Sequence, residues 1–289
     1  MADPKISHEF WQINGIRMHV AIAGEGEPLV LLHGFPEIWY SWRQVMPLLA
    51  RNYTVVAPDL RGYGTTEVTK KGYRMEELGR DVEALIDRLG GKAWVVGHDW
   101  GGVIAWHMTS ACPDKVRGLV AVAAPHPARY LEVFFTHLSQ TVRGLYTVFF
   151  QIPVLPELML SLGSGALPAW LMRKSTHLED VLSEEELAVY RESWTMKRLR
   201  AGINYYRQMA RHPFWVMQFH RKHLVRRPTM VVWGQEDTFL PLSQTEDLDK
   251  YCPDKLKIKI MPGTGHWIAQ ERPEILAEYI TGFFDSVDK

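Results

Sequence analysis

Four short runs in the first half of the chain are apolar at nearly every position: LVLL at 29–32, TVVAP at 54–58, AWVVG at 93–97 and GLVAVA at 118–123. A strand with one wet face would alternate, so these runs are read as strands covered on both sides. Helical patterns lie between them. In MEELGRDVEALIDRLGG, residues Met75, Leu78, Val82, Leu85, Ile86 and Leu89 make one apolar face, and Gly90-Gly91 supplies the stop. Buried strands alternating with helices specify an α/β fold built on a mostly parallel, doubly wound sheet. Ahead of that pattern, Asn14-Gly15 separates HEFWQI from IRMHVAI and marks a hairpin, since both turn residues tolerate the positive φ a tight hairpin demands.

The alternation stops near Pro125-His126-Pro127. From 128 to 226 the chain reads as helical and aromatic, interrupted by Pro153, Pro156 and Pro168, with a capping box where Ser183 precedes Glu186. Strand-like runs resume with TMVVW and LKIKI, and a helix pattern opens at Pro273. The economical reading is an α/β core in two parts, residues 1–127 and 227–289, interrupted by a helical cap at 128–226. Lys plus Arg balances Asp plus Glu at 33 each, with the signs mixed along the chain, which points away from a nucleic-acid partner. The N-terminal segment has no apolar targeting core, and no apolar stretch reaches membrane-spanning length, so a soluble, cytoplasmic protein is expected. Cys112 and Cys252, each followed by Pro-Asp, are expected to be reduced thiols. With no Gly-x-Gly-x-x-Gly fingerprint, phosphate loop or metal-ligand histidine spacing, neither a cofactor nor a metal is expected.

In an open parallel sheet, functional groups collect in loops at the carboxyl ends of strands. Four loops qualify: LLHGFPE at 31–37, GHDWGG at 97–102, WGQEDTFLP at 233–241 and MPGTGHWIAQ at 261–270. They supply Asp99, Asp237 and His266, in the chain order nucleophile, acid, base, with Asp99 framed by Gly97 and Gly101 as in a nucleophile elbow whose serine has become aspartate. That change alters the chemistry. A carboxylate that displaces a leaving group from an sp3 carbon forms an alkyl ester, which water then cleaves at the carboxylate's own carbon. His266, oriented by Asp237, would activate that water, and the backbone N–H groups of Phe35 and Trp100 would hold the oxyanion. Competing readings remain at this level: Asp99 as a helix N-cap, Glu236 or Asp59 in place of Asp237, and a structural role for any one of the twelve histidines. His98 and His126 are expected to hydrogen-bond within their own turns.

HGFPEIWYSWR at 33–43, DLRGYG at 59–64, GHDWGG and GHW together resemble the epoxide hydrolases of the α/β-hydrolase superfamily, over essentially the whole chain. The resemblance implies two cap tyrosines that hold the epoxide oxygen. The matching residues are Tyr146 in LYTVFFQIP and Tyr206 in GINYYRQ, with Tyr205 as the alternative to Tyr206. Haloalkane and haloacetate dehalogenases share the aspartate nucleophile and are the runner-up. Against them, Phe35 offers no side-chain donor to a halide, and Trp100 stands where haloacetate dehalogenases carry arginine. A non-catalytic binding protein of the same fold is a remote third reading. Phe35, Trp100, Phe134, Phe149, Phe150, Leu155 and Trp267 are expected to line an apolar pocket, which favours a small apolar epoxide, with water as co-substrate. No nucleic acid or membrane partner is expected, and the chain would act as a monomer or homodimer.

Overall fold

A computed structural model describes residues 4–212 and 224–287. Eight strands form one sheet: β1 (Ser7–Ile13), β2 (Ile16–Ala23), β3 (Glu27–Leu32), β4 (Tyr53–Pro58), β5 (Ala93–His98), β6 (Val116–Val122), β7 (Thr229–Gly234) and β8 (Leu256–Met261), in the order β1-β2-β4-β3-β5-β6-β7-β8. β1 pairs antiparallel with β2, and β2 with β4; from β4 onward every pairing is parallel. The hairpin closes at the Ile13–Ile16 pair, with Asn14 at φ 43° and Gly15 at φ 76°.

The apolar runs are buried on both faces because successive residues enter two different cores. Val30 and Leu32 pack into a cluster with the helices Met75–Arg88 and Trp100–Ala111, while Leu29 and Leu31 pack into a second cluster with Val45–Leu49 and Pro273–Val287. The helix over 75–88 ends where Gly90 and Gly91 take φ of 104° and 87°. Cys112 and Cys252 are both free thiols. No helix among the described residues is long and apolar enough to cross a membrane.

Between β6 and β7 the described chain runs through the helices Pro127–Thr136, Leu138–Arg143, Leu145–Phe149, Leu155–Ser175, Glu184–Ser193 and Met196–Arg211. Ser183 caps Glu184–Ser193 with the reciprocal Glu186 contact read from the sequence. In Leu155–Ser175 the break falls at Leu162 to Gly165, which leave helical geometry, while Pro168 is carried inside the helix. This helical layer is fastened to the sheet at several points. Trp194 Nε1 donates to the Pro36 carbonyl at 2.7 Å, Arg198 to the carbonyls of Tyr63 and Thr66, and Arg129 to the Ser243 carbonyl at 2.8 Å. Glu271 accepts from the amides of Gly265, His177 and Leu178, joining the layer to the loop that carries His266.

The turn from β5 into the next helix passes very close to the backbone of β3. A Cβ on Gly101 would overlap the carbonyl oxygen of Leu32 in β3, and one on Gly97 would overlap the carbonyl of Gly101. Both obstructions are backbone atoms that cannot swing aside. Gly101→Ala should therefore cost about 3 kcal/mol or more of stability, at the severe end for a point substitution. Denaturant unfolding of the variant against the unsubstituted protein measures it, and a loss under about 1 kcal/mol would mean that the crossing is looser than described.

Candidate active site

The crossing forces Asp99 into φ 47°, ψ −118°, a backbone conformation that costs a non-glycine residue on the order of 1–3 kcal/mol. What results is a carboxylate lifted off the sheet into a cleft. Phe35 N donates to Asp99 Oδ1 at 2.8 Å, and the Trp100 amide also donates to the carboxylate. Asp99 is enclosed by protein but keeps some accessible surface where it faces the cleft. Burial raises its pKa above the ordinary carboxylate value, while His266, His98 and the two amides pull the other way.

Asp237 and His266 arrive from the ends of β7 and β8. Their loops approach so closely that a Cβ on Gly234 would overlap the Gly265 carbonyl. His266 Nδ1 bonds Asp237 Oδ2 at 2.8 Å, and Asp237 Oδ1 accepts the amides of Phe239 and Leu240 at 2.8 and 2.9 Å. With its lone pairs so engaged, Asp237 holds the ring in one orientation and keeps Nε2 free for chemistry. Burial alone would lower the His266 pKa, but Asp237, then Asp99 and Glu37, outweigh it and lift it to about 9.

The competing carboxylates are placed elsewhere. Glu236 is exposed, and Asp59 is buried in a separate cluster, accepting from His19 at 2.9 Å, Trp39 N at 3.0 Å and Thr65 N at 2.9 Å. His98 reaches beyond its own turn. Its Nδ1 meets Glu37 Oε2 at 2.7 Å and its Nε2 meets the His266 carbonyl at 3.0 Å, so it ties the strand that leads to Asp99 to the loop that carries His266. Glu37, fully buried, also accepts from Gly34 N at 3.1 Å and Gln270 Nε2 at 2.6 Å. Burial would raise the Glu37 pKa, yet His98 and these donors bring it down to about 2. Sequence reasoning passed over Glu37, although it lies within the HGFPE stretch.

The cleft above Asp99 has about 530 Å³ of free space, open mouth included, and is lined among others by Trp100, Tyr130, Leu131, Tyr146, Tyr206 and Leu240. The rings of Tyr146 and Tyr206 lie 5.9 Å apart. Burial raises both phenol pKa values well above 10, and each phenol's tyrosine neighbour and Asp99 add to the shift, so both keep their protons. Tyr205 turns the other way and donates to the Arg61 carbonyl at 2.9 Å, so of the two adjacent tyrosines it is Tyr206 that lines the cleft. Tyr130 is a third phenol on the cleft, raised to about 12 by burial and then by Asp99; in an aromatic-rich segment it carried no signal of its own.

Of the pocket residues expected from sequence, Trp100 lines the cleft and Phe134 lines a groove continuous with it. Phe35 packs behind, against Phe150 and Tyr206 at 5.5 and 5.4 Å, and Phe149 sits half-buried beside Phe150. Trp267 stacks edge-on to His266 at 4.9 Å and donates to Ser175 Oγ. Leu155 is a correction. It is 43 % exposed and lies outside the cleft lining, because Val154 at φ 69° starts its helix with Pro156, Glu157 and Leu160 facing inward.

Comparison with known proteins agrees with this fold. A family model for the α/β-hydrolase fold matches residues 27–273. The chain belongs to the α/β-hydrolase family, and it is a hydrolase. Among its relatives, epoxide hydrolase 4 of Homo sapiens is 34 % identical over 98 % of this chain and 80 % of that protein. AB hydrolase superfamily protein YfhM of Bacillus subtilis is also 34 % identical, over 94 % of this chain and 96 % of that protein. The solved structure of potato epoxide hydrolase I superposes with a TM-score of 0.86 at 29 % identity, covering 98 % of this chain and all of that one.

The coupling between Asp99 and His266 has a measurable sign. A histidine whose folded-state pKa is raised from 6.5 to about 9 adds stability that is complete below 6.5 and lost as pH rises through about 9. Part of that rise comes from the Asp99 charge. Asp99→Asn should therefore lower the His266 pKa, read by NMR titration of the imidazole, and should move the alkaline loss of stability to lower pH. An unchanged pKa would show that the two groups do not sense each other.

Proposed function

We propose that the chain is an epoxide hydrolase that opens an apolar epoxide to a vicinal diol through a covalent ester on Asp99. The observation that carries this reading is a carboxylate on the elbow, where a hydroxyl is usual, facing two protonated phenols across an apolar cleft. The naming of its relatives as epoxide hydrolases supports it. In this reading residues 128–226 act as the cap over the site, and the protein works in the cytoplasm.

The Phe35 amide on Oδ1 leaves Asp99 Oδ2 as the attacking oxygen. Attack on an epoxide carbon breaks the C–O bond, and the ring oxygen, becoming an alkoxide, takes hydrogen bonds and a proton from Tyr146 and Tyr206. Alkylation also removes the Asp99 charge, one of the influences that hold His266 protonated. With its pKa lowered, the histidine can release its proton, which restores the phenol that protonated the alkoxide, and it is then neutral and available as a base. It takes a proton from water that attacks the Asp99 carbonyl carbon, and the Phe35 amide already on Oδ1, with the Trp100 amide beside it, holds the new oxyanion. Collapse of that intermediate breaks its bond to the substrate oxygen, the second proton of the water passes to that oxygen to complete the diol, and the carboxylate and the protonated His266 are restored.

A single turnover in ¹⁸O-water tests the route. The diol of the first turnover should carry unlabelled oxygen from Asp99, the label should appear in the protein, and His266→Gln should accumulate the alkyl-enzyme by intact mass. Label in the first diol would overturn the ester intermediate. A separate measurement concerns the phenols. Tyr146→Phe or Tyr206→Phe should slow alkylation about 10- to 100-fold, roughly 1.4–3 kcal/mol of transition-state stabilisation, because the second phenol still donates. Unchanged alkylation by epoxides, or halide release from haloalkanes with no diol from any epoxide, would favour a dehalogenase.

A further inference from the structure

Tyr146 and Tyr206 stand on two different helices, Leu145–Phe149 and Met196–Arg211, so a shared epoxide oxygen needs something that fixes one helix against the other. One buried side chain spans them. Arg207, next after Tyr206 and 6 % exposed, donates from Nε to the Phe150 carbonyl at 2.9 Å and from Nη2 to the Ile152 carbonyl at 2.7 Å. Phe150 is the C-cap of the Tyr146 helix, and its amide bonds back to the Tyr146 carbonyl at 2.9 Å. The last carbonyls of this short helix are taken up by the amides of Phe150, Gln151 and Ile152 and by the Gln151 side chain, and Arg207 holds the next turn, where a cation also suits the C-terminal end of the helix dipole.

Glu157, fully buried on the next helix, grips the rest of the guanidinium, with Nη1 at 2.7 Å from Oε1 and Nη2 at 3.2 Å from Oε2. A two-point pair of this kind fixes the plane of the fork as well as its position. Phe150 is also held by its ring, 5.1 Å from Tyr206 and 5.5 Å from Tyr146. Adjacent residues on one helix thus take hold of the same Phe150, Tyr206 by the ring and Arg207 by the carbonyl.

We infer that Arg207, seated on Glu157, is a positioning residue that sets the separation of the two phenols above Asp99. The inference rests on the epoxide-hydrolase reading. It gives the guanidinium a role in the first chemical step and none in the second, since ester hydrolysis runs through His266, Asp237 and the amides on Asp99. Lysine keeps the charge but lacks the fork, so it cannot hold both carbonyls and the carboxylate at once.

Rapid-quench single turnovers with styrene oxide, with thermal melting in parallel, test this in the full chain. Arg207→Lys should slow alkylation about 10- to 100-fold while ester hydrolysis stays within about 3-fold, the pattern of a misplaced acid rather than a loosened fold. In a Tyr146→Phe background the same substitution should cost less than about 3-fold, because its effect passes through a phenol pair that is already broken. Glu157→Gln leaves the carbonyl contacts but weakens their seat. It should show a smaller loss with the same preference for the first step, and it serves as the probe if Arg207→Lys does not fold. Equal losses in both steps, unchanged alkylation, or full additivity with Tyr146→Phe would overturn the positioning role. Absence of diol from any epoxide with the unsubstituted protein would instead overturn the epoxide reading.

Discussion

Everything chemical in this molecule depends on how closely β5 and the helix after it pass β3. The passage is narrow enough to exclude a Cβ at Gly97 and Gly101, and the chain can make it only by placing Asp99 at positive φ. The strain is localised in the residue that must be presented, and it is sustained by strands whose side chains are buried in two cores at once. A sheet with one wet face would have fewer contacts with which to hold that turn. The double burial that defines the fold class is thus also what keeps a carboxylate in a conformation it would not choose.

Around that carboxylate the protein separates charges by burial and pairing. Asp99 and Glu37 are both enclosed, yet one pKa is raised and the other brought to about 2. The difference lies in partners. Glu37 has His98, Gln270 and the Gly34 amide on it, whereas Asp99 has two amides and an open side towards the cleft. One carboxylate is fully paired and ties parts of the fold together, and the other keeps a side open to the cleft.

The parts of this arrangement that could be read from the sequence are those set by the chain's own path. The apolar runs announce the strands, the glycine frame announces the elbow, and the chain order of Asp99, Asp237 and His266 follows from loops at one edge of a parallel sheet. Tyr146 and Tyr206 were reached through family resemblance. Asp237 is preferred to Glu236 in the sequence because it directly precedes the TFLP run, and the loop turns Asp237 inward and Glu236 out. Groups whose meaning lies in distant approach were silent: Glu37 meets His98 across 61 positions, and Arg207 meets Phe150 across 57. In the sequence, Arg207 reads as an ordinary basic residue on an amphipathic helix. Leu155 was misplaced because apolar character alone does not say which side of a helix start faces in.

The fastening of the helical layer to the sheet bears on how such proteins can diversify. Glu271 shares its carboxylate between Gly265, beside the histidine, and the amides of His177 and Leu178, and Arg143 donates to the main-chain carbonyl of Asp237 at 2.8 Å. The helical layer over the cleft is therefore stitched into the very loops that carry Asp237 and His266. A replacement layer that did not bring two amides to Glu271 and a cation to the Asp237 carbonyl in the same places would disturb these loops along with the cleft. Substrate range in this architecture is more readily altered at individual side chains around the cleft than by exchange of the layer as a module.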